Sequence, residues 1–192
     1  MSDVPSLRAA QIRENLAWVS EYGPELDALV RGGLGPRRVH QIEGAKRMAW
    51  LPVELDICLA ELMYTHGGPE LFELRSRNAM LATAKSPILH GFLEAGLRML
   101  GTTPSGVAKL APRGYSHMYR NAGAIEVEVY DDSVSIHGHD FPAMMTESHA
   151  YITGLGAAFS AIPEYVGYAG HYQLHQDSSE LRWDLTWSKR VP

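Results

Sequence analysis

Residues 125–137 of this chain read IEVEVYDDSVSIH, two stretches in which apolar and polar residues alternate. Strict alternation places apolar side chains on one face of a β-strand and polar side chains on the other. The pair Asp131-Asp132 between the stretches fits a two-residue turn that joins antiparallel strands. Since this register opposes Val129 to Val134, both strands agree on the apolar face, and the sequence predicts a β-hairpin here.

A second hairpin is predicted near the end of the chain, where aromatic and aliphatic residues alternate with polar ones in the same way. A turn at Ser178-Ser179 pairs Tyr172 with Leu185 and Leu174 with Trp183. The apolar faces of the two strands again coincide, which supports this register.

Before Gly123 the apolar residues recur at helical spacing instead. We therefore predict an α+β fold with one domain over residues 1–192, in which an N-terminal helical half packs on an antiparallel sheet. The helical half spans residues 1–122, and residues 123–192 hold two hairpins with an intervening helix. The main helices are predicted over residues 7–22, 24–31, 52–66, 69–85, 88–100, 113–121 and 142–161.

Composition limits the function. The chain has 192 residues and a net charge of −5, which argues against a nucleic-acid surface with clustered basic residues. Cys58 is the only cysteine, so an intramolecular disulfide is impossible and a reducing compartment is expected. No basic, apolar leader opens the chain and no run approaches the about 20 apolar residues of a membrane span, so we expect a cytoplasmic protein. The sequence leaves open whether it forms a homo-oligomer.

No catalytic motif stands out: the chain has no Gly-x-Ser-x-Gly nucleophile elbow. Histidines on the predicted polar sheet face suggest one alternative, a metal-dependent enzyme, because two histidines spaced two apart on a strand share a face. The other interpretation is a solvated face with scattered imidazoles. Of the acidic residues in its helix, Asp56 lies closest to the apolar stripe. It is either a residue at the edge of that stripe or a buried carboxyl with a raised pKa. The metal-site alternative would use His137, His139, His171 and Glu126.

Aromatic residues gather where the predicted helices meet the sheet. Ligand pockets are mostly apolar with a few polar groups, so this junction predicts a binding site for a small apolar ligand or a protein partner. Alternatively, the aromatics simply fill the core. His117 in the same region is a potential haem ligand or a partly buried structural histidine. The candidate ligand-binding residues are Trp50, Tyr64, Tyr115, His117 and Tyr119.

Several short landmarks follow one another along the chain: Trp50-Leu51-Pro52, GLRMLG at residues 96–101, Tyr119-Arg120-Asn121, YITG at residues 151–154, and a last strand ending in Trp187. In this order they resemble an uncharacterised paralogous family abundant in myxobacteria. More distantly, the chain is similar to haem-nitric-oxide-binding domains and to 4-vinyl-reductase-type ligand-binding domains.

The resemblance implies a sensory or regulatory domain with a pocket between helices and sheet. Two departures bear on its cofactor. The Tyr-x-Ser-x-Arg motif that holds haem propionates has a different spacing in residues 115–120, and the metal-binding cysteines of many vinyl-reductase-type domains are absent. We therefore expect a non-enzymatic regulatory or sensory domain without a cofactor. The alternatives are a haem or gas sensor using His117 and the metal-dependent enzyme.

Overall fold

A computed structural model describes residues 4–84, 87–177 and 180–189, with side chains at all of these except 84, 87–90 and 92. The turn predicted at Ser178-Ser179 lies outside these residues. The helices are α1 (Ala9–Val19), α2 (Pro24–Leu34), α3 (Pro36–Gly44), α4 (Val53–Gly67), α5 (Pro69–Ala84), α6 (Pro87–Leu100), α7 (Pro104–Ala108), α8 (Ala111–Met118), α9 (Ala143–Thr146) and α10 (His149–Ser160), with short 3-10 helices at Ser20–Tyr22 and Ile162–Val166.

The described strands form two antiparallel sheets. In the smaller sheet, β1 (Ser6–Arg8) lies between β2 (Trp50–Pro52) and β3 (Tyr119–Arg120). The larger sheet contains β4 (Ala124–Val129), β5 (Ser133–His139), β6 (Tyr168–Gln176) and β7 (Leu181–Lys189), in the order β4-β5-β7-β6. The α+β prediction is confirmed.

Both hairpin registers are confirmed. Val129 pairs with Val134 in the first hairpin, and Tyr172 pairs with Leu185 in the second. The hairpins join through β5 and β7, where Ile136 lies opposite Trp183. The two inner strands therefore carry the most deeply buried side chains of the sheet: Val134, Ile136, Trp183 and Leu185.

The smaller sheet was not predicted, and it corrects three helix boundaries. The helix predicted over residues 113–121 ends at Met118 as α8, and Tyr119–Arg120 form β3. Leu7 pairs with Leu51 and Tyr119 as part of β1, so α1 begins only at Ala9. Pro52 does not start α4 as its first helical residue: it ends β2 in an extended conformation and precedes the helix. Strands of two or three residues are too short for alternation to mark them.

The long helix predicted over residues 142–161 is divided. Helices α9 and α10 are separate, and the Ser148 hydroxyl accepts a hydrogen bond from the Tyr151 amide at the start of α10. A side-chain cap of this kind satisfies one of the free amides of a helix N-terminus. The break lets α10 lie along the sheet, where the Trp183 indole donates to the Ile152 carbonyl at 3.0 Å.

The side of α10 with small residues, from Gly154 to Ala158, is used inside the chain. A Cβ atom at Gly154 would lie 2.8 Å from Cζ of Phe72 on α5. One at Gly156 would collide with the Tyr172 ring on β6. Glycine at these positions lets α10 approach both its neighbours closely.

Within the described residues, no helix is both long and apolar enough to cross a membrane.

Candidate ligand-binding cavity

A cavity of about 180 Å³ lies between the N-terminal helices and the elements that connect them to the larger sheet. Its floor comes from α1, α4 and α5, and its opposite wall comes from α7, α8, β3 and α10. Most of the lining is apolar, as is typical of ligand pockets. The apolar lining includes Leu7, Phe72, Met80, Val107, Leu110, Leu155, Phe159 and Ile162.

Polar side chains run along one wall as a continuous hydrogen-bonded chain. The Thr83 hydroxyl donates to Gln11 Oε1 at 2.9 Å, and the Gln11 amide donates to Asn15 Oδ1 at 3.0 Å. The Asn15 amide in turn donates to Asp56 Oδ1 at 2.8 Å. Since all four residues line the cavity, this wall offers polar groups whose orientation is already set.

Asp56 is a buried carboxyl, and burial raises its pKa even though Arg75 and the Asn15 amide favour the charged form. Of the two interpretations of Asp56, the buried carboxyl with a raised pKa is confirmed. The phenols of Tyr151 and Tyr119 lie next in the same wall, with their oxygens 3.0 Å apart. Burial raises the pKa of both phenols, so they are neutral hydrogen-bonding groups at ordinary pH.

Arg75 is the second charged group in the wall. Its side chain is 4% exposed, and its Nε and Nη2 have no hydrogen-bond partner among the described residues. The guanidinium carbon lies 6.0 Å from the centre of the Phe72 ring, and Asp56 is the main charge that acts on it. Burial lowers the pKa of Arg75, yet an arginine keeps its proton in proteins.

Two of the five predicted ligand-binding residues line the cavity. Tyr115 stacks on Tyr119 with ring centres 4.2 Å apart, and the Tyr115 hydroxyl donates to the Ala122 carbonyl at 2.8 Å. Burial raises the pKa of Tyr115. The structure thus brings these two aromatics together at the helix–sheet junction.

The other three predicted residues are not among those that line it. Trp50 lies under the Arg8 guanidinium, 3.7 Å from the ring centre. Tyr64 makes edge contacts with the Phe72 ring, and the His117 side chain is exposed on α8. A pattern of aromatics does not distinguish a ring that faces a cavity from one that covers another part of the core.

The residues of the metal-site alternative do not converge. Among the described residues, no group of three His, Cys, Asp or Glu side chains is placed to hold a metal ion. His137 and His139 face separate carboxylates, Glu128 and Glu126, each at 3.6 Å. His171 lies on β6, at the far edge of the sheet from β4, three strand spacings or about 14 Å away.

Gln11, Asn15, Arg75 and Tyr151 were not predicted as site residues. One signal was available: Asn15 lies between the apolar Ile12 and Leu16 of α1, and Arg75 lies three residues after Phe72 in α5. A polar residue on an apolar face requires a partner. Asn15 finds its partner, Asp56, on α4, and the main charge that acts on Arg75 is also Asp56, so one sequence cannot show these contacts.

The solved structures similar to this chain include H-NOX proteins. The Fe(II) unliganded H-NOX protein from K. algicida aligns with a TM-score of 0.66 and 12% identity, over 97% of this chain and 99% of that chain. A mutant of that protein aligns with a TM-score of 0.66 and 11% identity, over 96% and 98% of the two chains. The chain therefore has an H-NOX-like fold, which confirms the resemblance to haem-nitric-oxide-binding domains at the level of fold.

No family model and no curated protein matches the chain. Its membership of the myxobacterial family stays a prediction.

Proposed function

We propose that the chain, acting as one domain over residues 1–192, is a non-enzymatic sensory domain that binds a small, mainly apolar ligand. The observation that carries the proposal is the cavity of about 180 Å³, lined by apolar side chains along most of its surface and by a preformed polar wall on one side. Engineered apolar cavities of about 150 Å³ bind molecules the size of benzene. The H-NOX-like fold supports a sensory role.

The test uses benzene as the probe and nuclear magnetic resonance as the readout. Ala79 of α5 lines the cavity, and Ala82 of the same helix is exposed. We expect benzene to shift the amide signals of cavity residues, and we expect Ala79→Leu to abolish those shifts by filling the space. Ala82→Leu is the matched control and keeps them. If benzene causes no shifts at the cavity, or if Ala79→Leu leaves them unchanged, the proposal fails.

A protein partner is the alternative ligand for the same aromatic junction and stays a prediction. Mass spectrometry of molecules that co-purify with the untagged protein separates the two ideas. A stoichiometric small molecule, released on denaturation, supports the cavity as the binding site.

A haem or gas sensor is the second candidate, and the H-NOX-like fold is the observation that favours it. Haem iron is held by His, Cys, Met or Tyr. No histidine or cysteine is among the described residues that line the cavity. Met80 and Met118 do line it, but methionine binds haem iron together with a histidine. Burial raises the pKa of Tyr115, Tyr119 and Tyr151, which disfavours a phenolate ligand. The described residues therefore do not fit haem.

An absorption spectrum of untagged protein distinguishes the two candidates. The haem sensor predicts a Soret band that His117→Ala abolishes. A colourless protein, or a Soret band that is unchanged in His117→Ala, contradicts haem bound through His117. The ligand-binding proposal predicts a colourless protein in which elemental analysis finds no iron.

A further inference from the structure

The Arg75 guanidinium is a buried charged group whose hydrogen-bond donors are not all used by the contacts described above. Its side chain is 96% buried, and its Nε and Nη2 are shielded from solvent and find no hydrogen-bond partner in the part of the chain that the structure describes. A buried donor without a partner costs free energy, and a charged donor costs more than a neutral one. Such a group in a native structure requires an explanation, and a ligand is one.

Asp56 does not satisfy this edge of Arg75. The two charges attract each other, but among the described residues no carboxylate forms an ion pair with Arg75. Asp56 instead accepts the Asn15 amide at 2.8 Å. The Nε and Nη2 donors of Arg75 therefore stay unused by Asp56.

The two unused nitrogens are adjacent on one edge of the guanidinium. Nε and Nη2 each donate along nearly parallel directions, which matches the two oxygens of one carboxylate in a bidentate pair. Arg75 lines the cavity together with apolar side chains from α10, so apolar surface lies beside the guanidinium.

We propose that the cavity binds a small amphipathic carboxylate, whose carboxylate pairs with Nε and Nη2 of Arg75 and whose apolar chain lies along Met80, Leu155 and Phe159. The inference rests on the proposed function and names the ligand class of the same cavity. A singly charged group fits better than a phosphate dianion, because the Asp56 carboxyl lines the same wall and repels added negative charge when it is ionised. The cavity volume of about 180 Å³ limits the apolar chain to a short or medium length.

Octanoate and 1-octanol form a matched pair of probes that differ in the anionic group. Calorimetric titration of the full chain is expected to show octanoate binding more tightly than 1-octanol. Arg75→Met keeps the apolar stem and removes the charge, so octanoate affinity should fall by about tenfold or more while 1-octanol affinity is retained. Arg98→Met removes an exposed arginine of α6 with the same change in net charge, and it should leave both affinities unchanged.

A second variant, Asp56→Asn, should change the affinity for octanoate in the opposite direction. Asp56→Asn removes the carboxylate that competes for the same positive charge, so octanoate should bind more tightly to this variant and 1-octanol should not. The comparison is made at a pH above the folded pKa of Asp56, where its carboxylate is ionised. If Arg75→Met does not fold, this comparison still tests the inference, since equal octanoate affinities for wild type and Asp56→Asn at that pH contradict it.

The remaining outcomes separate the inference from the proposed function. If both probes bind wild type equally and Arg75→Met changes neither, the anionic group is not recognised: the inference fails and the apolar cavity site stands. If neither probe nor benzene binds at the cavity, the proposed function fails with it.

Discussion

The phenol oxygens of Tyr119 and Tyr151 lie 3.0 Å apart and join β3 to α10 across one end of the cavity. Tyr119 belongs to the small sheet, and Tyr151 belongs to the helix that covers the large sheet. This hydrogen bond therefore connects the small sheet to α10 through side chains. Because burial raises the pKa of both phenols, the bond is formed between neutral groups.

Tyr151→Phe tests the contribution of this bond to stability. It leaves the Tyr119 hydroxyl without that partner, so we expect the free energy of unfolding to fall by about 1 kcal/mol. Urea unfolding followed by circular dichroism measures the change. Tyr130 is 48% exposed in the turn region of the first hairpin, and Tyr130→Phe is the control with no measurable loss expected. Equal stabilities of Tyr151→Phe and wild type would mean that the bond contributes nothing.

The buried phenols also predict a loss of stability at alkaline pH. Their folded pKa values lie above the unfolded value of 10.0, so the folded state holds their protons more tightly. The stabilisation is fully present below pH 10.0 and is lost as the pH rises above it, by up to about 1.4 kcal/mol per pH unit for each phenol. Urea unfolding at pH values from about 9 to about 11 should show this slope, and it should be shallower in Tyr119→Phe and in Tyr151→Phe. An unchanged slope in both variants would contradict the prediction.

Asp56 predicts a pH dependence at the acidic end. Its folded pKa lies above the ordinary 3.8, so the fold favours the neutral carboxyl, and its contribution to stability is lost as the pH rises from 3.8 through the folded pKa. Asp56→Asn cannot ionise. The unfolding free energy of Asp56→Asn minus that of wild type should therefore increase with pH over this window and then become constant. A difference that does not change with pH would show that Asp56 titrates normally in the fold.

The hairpins of the large sheet could be predicted from the sequence because residues close together in the chain specify the pairing within each hairpin. In the first hairpin every residue from Ile125 to His137 takes part in the alternation or the turn, and the observed pairs Val129 with Val134 and Glu126 with His137 follow from it. The pairing of β5 with β7 depends on contacts between hairpins, and no local pattern specifies it.

The polar wall of the cavity could not be predicted for a different reason. Asn15 and Asp56 are 41 residues apart, and their hydrogen bond exists only once α1 and α4 have packed. Aromatic residues at the junction identified Tyr115 and Tyr119 but equally suggested Trp50 and Tyr64, which pack elsewhere. Hydrophobic character predicts burial and does not predict which surface a side chain faces.

Gly156 tests the packing of α10 on the sheet. A methyl group there would collide with the Tyr172 ring and lie 2.8 Å from Cδ1 of Trp183, both of which belong to the sheet. We expect Gly156→Ala to lower the free energy of unfolding by about 1–3 kcal/mol, because inserting a methyl group into a packed interface forces the neighbours to shift. Urea unfolding measures the loss.

Gly32 of α2 provides the matched control for the same substitution. No atom lies within 4 Å of a Cβ placed there, and the residue is helical, so Gly32→Ala should raise the free energy of unfolding by up to about 1 kcal/mol through helix propensity alone. If Gly156→Ala lowers the free energy of unfolding and Gly32→Ala raises it, the loss in Gly156→Ala comes from the contact with Tyr172 and Trp183. If both variants stabilise the protein, α10 does not pack on the sheet as closely as described.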